Sequence, residues 1–441
     1  MEKGNSTSAD VLAQTNPGKE LKNDQNGPIR GVVAETPMPV LIKSSFKKLP
    51  EWDFEDIYNQ DAPPRQTTCA NSLRNSEDES FKKNVLPNIR LYMHKDNVNM
   101  SEWNRLSHFN NPLVLWGLSM MTCANSLRNS EDESFKKNVL PNIRLYMHKD
   151  NVNMSEWNRL SHFNNPFGFM GFKHDDVMTS VKLIPKPKEP LLLPKPGGGC
   201  VTCAVVAGAG ILNGSKNGKE IDAHDYVFRM NGAITKGYEE DVGGRTSVYV
   251  HTAFSITSSP YILRGYGYKN VPNDEGIKYV MIPEGMRDFN WLKGLLKGER
   301  IGEGQYKNMR PRTYYAGQYN ETRFYVLHQD FLRYVRNRFI KSRDLLSPRW
   351  AMVRPSNGAF TLFLALHTCD TVSAYGFMTE DYSKYSNYYY EKIKKSVVFY
   401  ANHDYLMEKD LWKSLHNTKI LKLYQRTNSE QEPEKENKLI Q

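Results

Sequence analysis

The stretch CVTCAVVAGAGILNG, residues 200 to 214, decides the fold class of this chain. Three apolar residues, AVV at 204 to 206, run into the glycine-rich turn GAG. Glycines at such a turn let backbone N–H groups approach a phosphate, so the stretch is typical of a strand that enters a ligand-binding loop. We therefore predict an α/β domain whose first strand ends in a loop of the nucleotide-binding type.

Downstream of this loop, strand-like and helix-like apolar patterns alternate. We predict strands at residues 204 to 206, 226 to 230, 246 to 251, 278 to 283, 371 to 377 and 419 to 424. We predict helices at 290 to 297, 328 to 340, 358 to 369 and 403 to 416. The alternation predicts a Rossmann-like, mostly parallel sheet with helices on both faces, and a ligand beyond the carboxyl ends of the strands.

The glycine spacing argues against a dinucleotide. Gly208, Gly210 and Gly214 are one residue too widely spaced for G-x-G-x-x-G, and no GK[ST] of a Walker loop follows. At the end of the next strand, where NAD needs a carboxylate, the sequence has Arg229 and Asn231. Two interpretations stay open at this point: a loop that binds a single nucleotide, and a tight turn with no ligand.

Composition bounds the class of protein. The 441 residues carry a net charge of +10, which suits an anionic partner but equally a basic, solvated surface. We expect no nucleic-acid binding, because no Lys/Arg cluster is interleaved with aromatic residues. The first 27 residues lack an apolar run, and LVLWGLSMM at 113 to 121 is too short to cross a bilayer. We expect the chain as given to be soluble.

The chain divides into four parts. Residues 1 to 67 are polar and aperiodic, so we expect a disordered, stem-like arm. The segment at 68 to 112 recurs without a difference at 122 to 166, whereas structural repeats drift in sequence and come in longer arrays. We expect residues 68 to 121 to be an appendage, 122 to 426 to be the catalytic domain, and 427 to 441 to be a polar tail.

The five cysteines allow three interpretations. Cys69 and Cys123 are two copies of one position, and Cys200 and Cys203 form a C-x-x-C pair. A zinc site lacks a second ligand pair, and a thioredoxin-type pair would follow a strand rather than precede one. Two disulfides in a secretory-pathway protein are favoured, and the sequons fit that compartment. These sequons are at Asn5, Asn99, Asn153, Asn213 and Asn320.

Four segments carry a family resemblance. Residues 203 to 247 resemble the large sialylmotif of animal sialyltransferases, and RPSNGAFTLFLALHTCDTVSAYGF at 354 to 377 resembles the small one. YYYE at 388 to 391 resembles the third motif, and HDYLME at 403 to 408 the very small motif. The flanking sequences are similar to those of N-acetylgalactosaminide α-2,6-sialyltransferases of mucin-type O-glycans. The resemblance covers roughly residues 122 to 426.

This resemblance implies a variant GT-A sialyltransferase fold and a specific reaction. Sialic acid would pass from CMP-sialic acid to the 6-hydroxyl of O-linked GalNAc on a mucin-type glycoprotein, with inversion and without a metal or other cofactor. It also implies the Golgi lumen or membrane, through an anchor that the given sequence lacks. A NAD-dependent oxidoreductase is set aside on Arg229 and the glycine spacing. The alternative that stays open is a catalytically impaired relative that binds a glycan or a protein partner.

The resemblance also implies roles for individual residues. His403 would be the general base, since an imidazole titrates near neutrality. Glu408 would be structural, and a disulfide would join Cys203 to Cys369. Cys200 would pair with Cys123 rather than Cys69. The donor would be bound by Gly208, Asn231, Ser356, Asn357, Gly358 and Tyr388.

Two positions depart from the family pattern. Relatives usually have Asn directly after the loop's first glycine, where this chain has Ala207 and Gly208. The third motif usually opens with His, where this chain has Tyr388. A phenol donates a hydrogen bond but carries no positive charge, so less help for the leaving group is expected.

Overall fold

The seven strands of the central sheet are all parallel, and their order is β5-β4-β3-β2-β1-β6-β7. The structure is a computed structural model that describes residues 35–61, 132–188, 190–195 and 199–426. The strands are β1 Thr202–Val206, β2 Tyr226–Met230, β3 Val248–His251, β4 Lys278–Met281, β5 Phe324–Val326, β6 Thr371–Tyr375 and β7 Lys422–Leu423. All six predicted strands are confirmed, and β5 is an addition.

Ten α-helices connect and cover these strands within the described ranges. They are α1 Glu133–Asn138, α2 Met154–Leu160, α3 His174–Val181, α4 Gly218–Asp222, α5 Glu239–Val242, α6 Ala253–Ile262, α7 Met286–Lys297, α8 Gln329–Arg338, α9 Asn357–Thr368 and α10 Tyr405–Asn417. Short 3-10 helices lie at Lys43–Ser45, Glu51–Phe54, Gly210–Leu212, Arg264–Tyr266, Pro311–Tyr315, Glu321–Arg323, Arg343–Leu346 and Tyr382–Lys384. Of the helices that the structure describes, none is long and apolar enough to span a membrane.

The sheet is buried on both faces, as expected for parallel strands covered by helices. Along β1, Val205 packs into a core with α8 and α9, whereas Val206 packs into a separate core with the turn Gly210–Leu212. Successive side chains of a strand point to opposite faces, so this alternation places helical layers on both sides. The predicted Rossmann-like α/β architecture is confirmed.

The second half of the arm that we predicted to be disordered has a defined structure. Residues 37–61 pack onto the domain, and Asp53 is fully buried in an ion pair with Arg336 at 2.6 Å. Further along, the backbone N–H of Asn59 donates to the carboxylate of Asp330 at 2.9 Å. Sequence analysis did not predict this packing, because the residues that Asp53 and Asn59 contact lie far along the chain. The appendage at 68–121, the tail at 427–441 and both Cys69 and Cys123 lie outside the described residues.

Candidate active site

The site forms where the direction of the sheet connections reverses. β1 lies between β2 and β6 in the sheet. The chain passes from β1 to β2 in one direction along the strand order and from β6 to β7 in the other. In open parallel sheets such a switch point leaves a crevice at the carboxyl ends of the strands. The glycine loop follows β1 directly, and helix α9, which packs against β1, β2, β3 and β6, begins close to the same edge.

The glycine loop is held against the third motif. A Cβ added to Gly208 would come within 3.1 Å of the Tyr388 ring, and one added to Gly210 would clash with the Ser386 carbonyl oxygen at 2.1 Å. The Gly208 carbonyl oxygen also accepts a hydrogen bond from the Tyr389 backbone N–H at 3.1 Å. The third motif therefore leaves little room for a side chain at either position, because a ring lies over Gly208 and backbone atoms lie over Gly210. The structure brings Gly208 and Tyr388 together.

Two asparagines meet across the crevice. The Asn357 side-chain amide donates to Oδ1 of Asn231 at 2.8 Å. Asn231 follows β2 in a left-handed conformation, with φ of 54°, which asparagine tolerates better than most residues. Oδ1 of Asn357 is buried and has no hydrogen-bond partner within the described residues. The pair thus presents polar groups to the space at the end of β2.

Helix α9 begins with a cap that is itself anchored. The Ser356 hydroxyl accepts from the backbone N–H of Ala359 at 3.1 Å, which is an N-cap bond. The same hydroxyl donates to Oε2 of Glu408, and the Ser356 backbone N–H donates to Oε1, both at 2.7 Å. Burial raises the pKa of Glu408 to about 7, although the bonds from Ser356 oppose that rise. Both oxygens of Glu408 thus bind Ser356, as suits the structural role expected for this residue.

The first turn of α9 leaves backbone donors unused. Helices offer their first N–H groups to anions, and the helix dipole adds to that attraction. The N–H groups of Ala359 and Phe360 bond back to Ser356, whereas those of Asn357 and Gly358 have no intrahelical acceptor. These two N–H groups lie at the positive end of the helix dipole.

The predicted disulfide between Cys203 and Cys369 is present, with an S–S distance of 2.03 Å. It joins β1, immediately before the glycine loop, to the residue that ends α9. Cys200 is also disulfide-bonded, and its expected partner Cys123 lies outside the described residues.

His403 precedes α10, on the loop that leads into its N-cap, Asp404. Nδ1 of His403 lies 2.9 Å from the Arg354 carbonyl oxygen, and Nε2 lies 3.1 Å from the side-chain amide of Asn402. A carbonyl oxygen can only accept, so Nδ1 carries the proton and the lone pair of Nε2 accepts from the Asn402 amide. Burial lowers the pKa of His403 below 6.5, which favours this neutral form.

His403 is connected to both halves of the crevice. It bonds to Arg354, two residues before Ser356, and its ring lies 5.6 Å from that of Tyr405. Burial raises the pKa of Tyr405, and the neighbouring Glu408 and Tyr388 add to the rise. The imidazole therefore contacts both the segment that leads into α9, through Arg354, and the first residue of α10, Tyr405.

Sequence analysis missed the residues that support His403. Arg354 binds Glu284 through two hydrogen bonds, at 2.8 and 3.1 Å, and its backbone N–H donates to the Asn402 carbonyl oxygen. Glu284 follows β4 at the carboxyl edge of the sheet, and its side chain is only 6% exposed. An acidic residue just after a predicted strand was the available signal, but its arginine partner lies 70 residues away.

Two acidic residues near the glycine loop have structural contacts. Glu220 accepts a hydrogen bond from the Tyr375 hydroxyl at 2.6 Å and pairs with Lys422. Asp222 accepts from the backbone N–H groups of Gly244 and Arg245. Their carboxylates are thus occupied by protein donors.

One cluster in the described part of the chain has a composition that suits a metal: Glu156, His328 and Asp330. Arg159 binds both acidic residues of the cluster, and Arg333 binds Asp330. Two guanidinium groups already neutralise these carboxylates and would repel a cation. The cluster is therefore a structural ion-pair network.

Comparison with known proteins agrees with this geometry. The sequence profile of glycosyltransferase family 29 (sialyltransferase) matches residues 146–420. Alpha-N-acetylgalactosaminide alpha-2,6-sialyltransferase 1 of Gallus gallus is 39% identical, over 96% of this chain and 66% of the relative. Alpha-N-acetylgalactosaminide alpha-2,6-sialyltransferase 2 of Mus musculus is 44% identical, over 61% of this chain and 73% of the relative.

A solved structure, a crystal structure of a mammalian sialyltransferase, shares the fold with a TM-score of 0.51 and 22% identity. The matched region covers 70% of this chain and 100% of the chain in the crystal structure. The chain spans only 56 to 66% of the length of the alpha-N-acetylgalactosaminide alpha-2,6-sialyltransferases 1 of Homo sapiens, Mus musculus and Gallus gallus. The chain belongs to glycosyltransferase family 29, the sialyltransferases.

Proposed function

We propose that this protein transfers sialic acid from CMP-sialic acid to the 6-hydroxyl of GalNAc O-linked to a glycoprotein, with inversion at the anomeric carbon. Membership of the sialyltransferase family supports the reaction type, and relatives named for GalNAc α-2,6 transfer support the acceptor. The observation that carries the proposal is the contact of the His403 imidazole with the carbonyl oxygen of Arg354, two residues before the N-cap of α9, Ser356.

In this proposal Nε2 of His403 removes the proton of the attacking hydroxyl. The bond from Nδ1 to the Arg354 carbonyl oxygen fixes the ring and stabilises the imidazolium that forms. The amide of Asn402 occupies Nε2 in the free protein and yields that position to the acceptor hydroxyl. The hydroxyl oxygen then bonds to the anomeric carbon while the bond from that carbon to the CMP phosphate oxygen breaks.

The other side of the crevice binds the donor. The unused N–H groups of Asn357 and Gly358 face the negative charge of the phosphate, where the helix dipole favours an anion. Asn231 and the buried Oδ1 of Asn357 offer a donor and an acceptor for the cytidine or its ribose. Tyr388, which lies against Gly208, supplies a hydroxyl donor to the departing phosphate in place of a histidine.

The chemistry proposed here assigns no step to a metal or cofactor. The charge that develops on the departing CMP is met by backbone N–H groups and a phenol, both neutral donors. We further propose a mucin-type glycoprotein as the acceptor and the Golgi lumen as the compartment, consistent with the disulfides at Cys203 and Cys200.

A direct assay tests the proposal. Purified protein is incubated with CMP-sialic acid and a GalNAc-bearing peptide, and the linkage of the product is determined by glycosidase digestion and mass spectrometry. We expect an α-2,6 product from the wild type and formation of that product about 10²- to 10⁴-fold more slowly by His403→Ala. If both proteins bind CMP and the glycopeptide but neither forms product, the chain is a non-catalytic binding relative instead.

A further inference from the structure

A cavity of about 500 Å³ lies beside the candidate base. Arg354 forms part of its wall, and the carbonyl oxygen of the same residue accepts the hydrogen bond from His403. A single residue therefore separates the cavity from the imidazole. A space of this size accommodates an extended side chain or a sugar ring.

The wall of this cavity is positively charged. Lys43, Arg287 and Arg354 line it, against one lining carboxylate, that of Glu284. Both arginines already bind that carboxylate, at 3.0 Å from Arg287 and 2.8 Å from Arg354. Arg287 also lies 3.6 Å from the buried carboxylate of Asp288, in the first turn of α7. Three cationic side chains stand against these two carboxylates, so an excess of positive charge faces the cavity.

Several hydrogen-bond donors in the wall are unused. Within the part of the chain that the structure describes, no hydrogen bond or ion pair within 4 Å engages the Lys43 ammonium, and the side-chain amides of Asn290 and Gln305 make no hydrogen bond. Burial lowers the pKa of Lys43 to about 8, with Asp53 opposing the shift, so the ammonium keeps its proton at neutral pH. The cavity therefore offers donors and charge suited to an anion.

Helix α7 also begins at this wall. Its N-cap, Gly285, provides no side-chain cap, and the N–H groups of Met286 and Arg287 have no intrahelical acceptor. A Cβ added to Gly285 would meet nothing within 4 Å, so the space in front of the helix is open. The positive end of a twelve-residue helix thus adds to the three cationic side chains.

We propose that this cavity binds a carboxylate carried by the acceptor, in the neighbourhood of the hydroxyl that receives sialic acid. A neutral sugar needs acceptors as well as donors, whereas this wall presents donors in excess and a net positive charge. The carboxylate belongs either to an acidic side chain of the acceptor polypeptide or to an acidic sugar of its glycan, since both have the same chemistry. The inference depends on the proposed function, because it places an acceptor beside His403.

Steady-state kinetics with four acceptors test this inference. The first pair is a GalNAc-peptide with Glu near the glycosylated residue and its Gln counterpart. The second pair is a glycan acceptor with a carboxylate-bearing terminal sugar and the same glycan with that carboxylate amidated. We expect kcat/KM to be about tenfold higher for the charged member of one pair, the effect of one charge-assisted hydrogen bond. The pair that shows the preference identifies the source of the carboxylate.

Variants of the wall complete the test. Lys43→Met and Asn290→Ala should each reduce the preference, Lys43→Arg should retain it, and Lys47→Met, an exposed lysine on the same segment, should leave it unchanged. Equal kcat/KM for charged and neutral acceptors in the wild type would overturn the inference while the proposed function stands. No transfer to any of the four acceptors would overturn both.

Discussion

The carboxylate of Glu408 accepts two hydrogen bonds from Ser356, one from the backbone N–H and one from the hydroxyl, each at 2.7 Å. This contact joins the first turn of α10 to the start of α9, and so connects the segment that carries the proposed base to the helix end proposed to bind the donor. Because Glu408 is fully buried, its ionisation affects the stability of the domain.

Replacing Glu408 with Gln should change how stability depends on pH. Burial raises the pKa of Glu408 from 4.5 to about 7, so between these values the folded state holds a proton that the unfolded chain releases. The free energy of unfolding therefore falls as pH rises through this window. Gln does not titrate, so the melting temperature of Glu408→Gln should gain on the wild type from pH 5 to pH 8. Exposed Glu133→Gln is the control, and parallel curves for Glu408→Gln and wild type would contradict the prediction.

Substitution of His403 should remove catalysis without removing donor binding. A positioned general base contributes about 10²- to 10⁴-fold, so kcat of His403→Ala should fall by that factor. Burial lowers the pKa of His403 below 6.5, so wild-type kcat/KM should fall only as the pH drops below about 6.5. CMP affinity, measured by calorimetry, should change little. Retained activity would exclude His403 as the base.

Glu284 should act as a positioning residue for His403 through Arg354. Its carboxylate raises the pKa of His403, which burial and the Arg354 charge lower. Glu284→Gln should therefore move the acid limb of the kcat/KM profile to lower pH, besides lowering kcat by about tenfold. The exposed Glu303→Gln serves as the matched control. A loss of activity with an unmoved limb would indicate a purely structural role.

Tyr388 should determine how well CMP leaves. If its hydroxyl donates to the phosphate, Tyr388→Phe should lower kcat by about 10²-fold, the effect of one lost donor at developing charge. Tyr388→His should exceed the wild type at pH 6, where an imidazolium adds positive charge to that donor. The aromatic ring against Gly208 is kept in both variants, which limits changes in packing. Equal kcat in wild type and Tyr388→Phe would show that the Tyr388 hydroxyl does not assist the departure of CMP.

Removing the disulfide between Cys203 and Cys369 should destabilise the domain and loosen the crevice. Loss of a native disulfide typically costs about 2–5 kcal/mol. The double variant Cys203→Ala, Cys369→Ala should show that decrease in urea unfolding, with a weaker affinity for CMP because β1, which leads into the glycine loop, loses its covalent link to the end of α9. An unchanged unfolding midpoint would show that packing alone fixes this separation.

The parts of the fold with strong local signals were predictable. β2 coincides with its predicted range because an apolar run there is bounded by polar residues. β5 is only three residues long, too short for a period to be recognised. Helix α6, Ala253–Ile262, has almost no amphipathic pattern and contains Pro260, so it resembles neither a strand nor a surface helix.

Some residues of the candidate site could likewise be predicted from the sequence and others could not. His403, Ser356 and Asn231 stand in motifs that are contiguous in sequence, so the resemblance located them. Glu284 and the cavity beside Arg354 are formed by segments far apart in the chain, and no local pattern signals which arginine a given carboxylate will meet. Sequence analysis thus supplied the candidate site residues, whereas the residues that contact and position them could be identified only from the coordinates.

The packed segment at 37–61 has a practical consequence for producing the protein. Asp53 neutralises Arg336 in the interior, and the Glu55 and Ile57 carbonyl oxygens accept hydrogen bonds from Arg333. A recombinant fragment that starts at residue 122, where the motif-bearing region begins, would leave the buried guanidinium of Arg336 without its ion-pair partner, and breaking such a pair costs about 3–5 kcal/mol. Expression boundaries should therefore precede residue 37, and proteolytic trimming beyond it is expected to inactivate the enzyme by unfolding it.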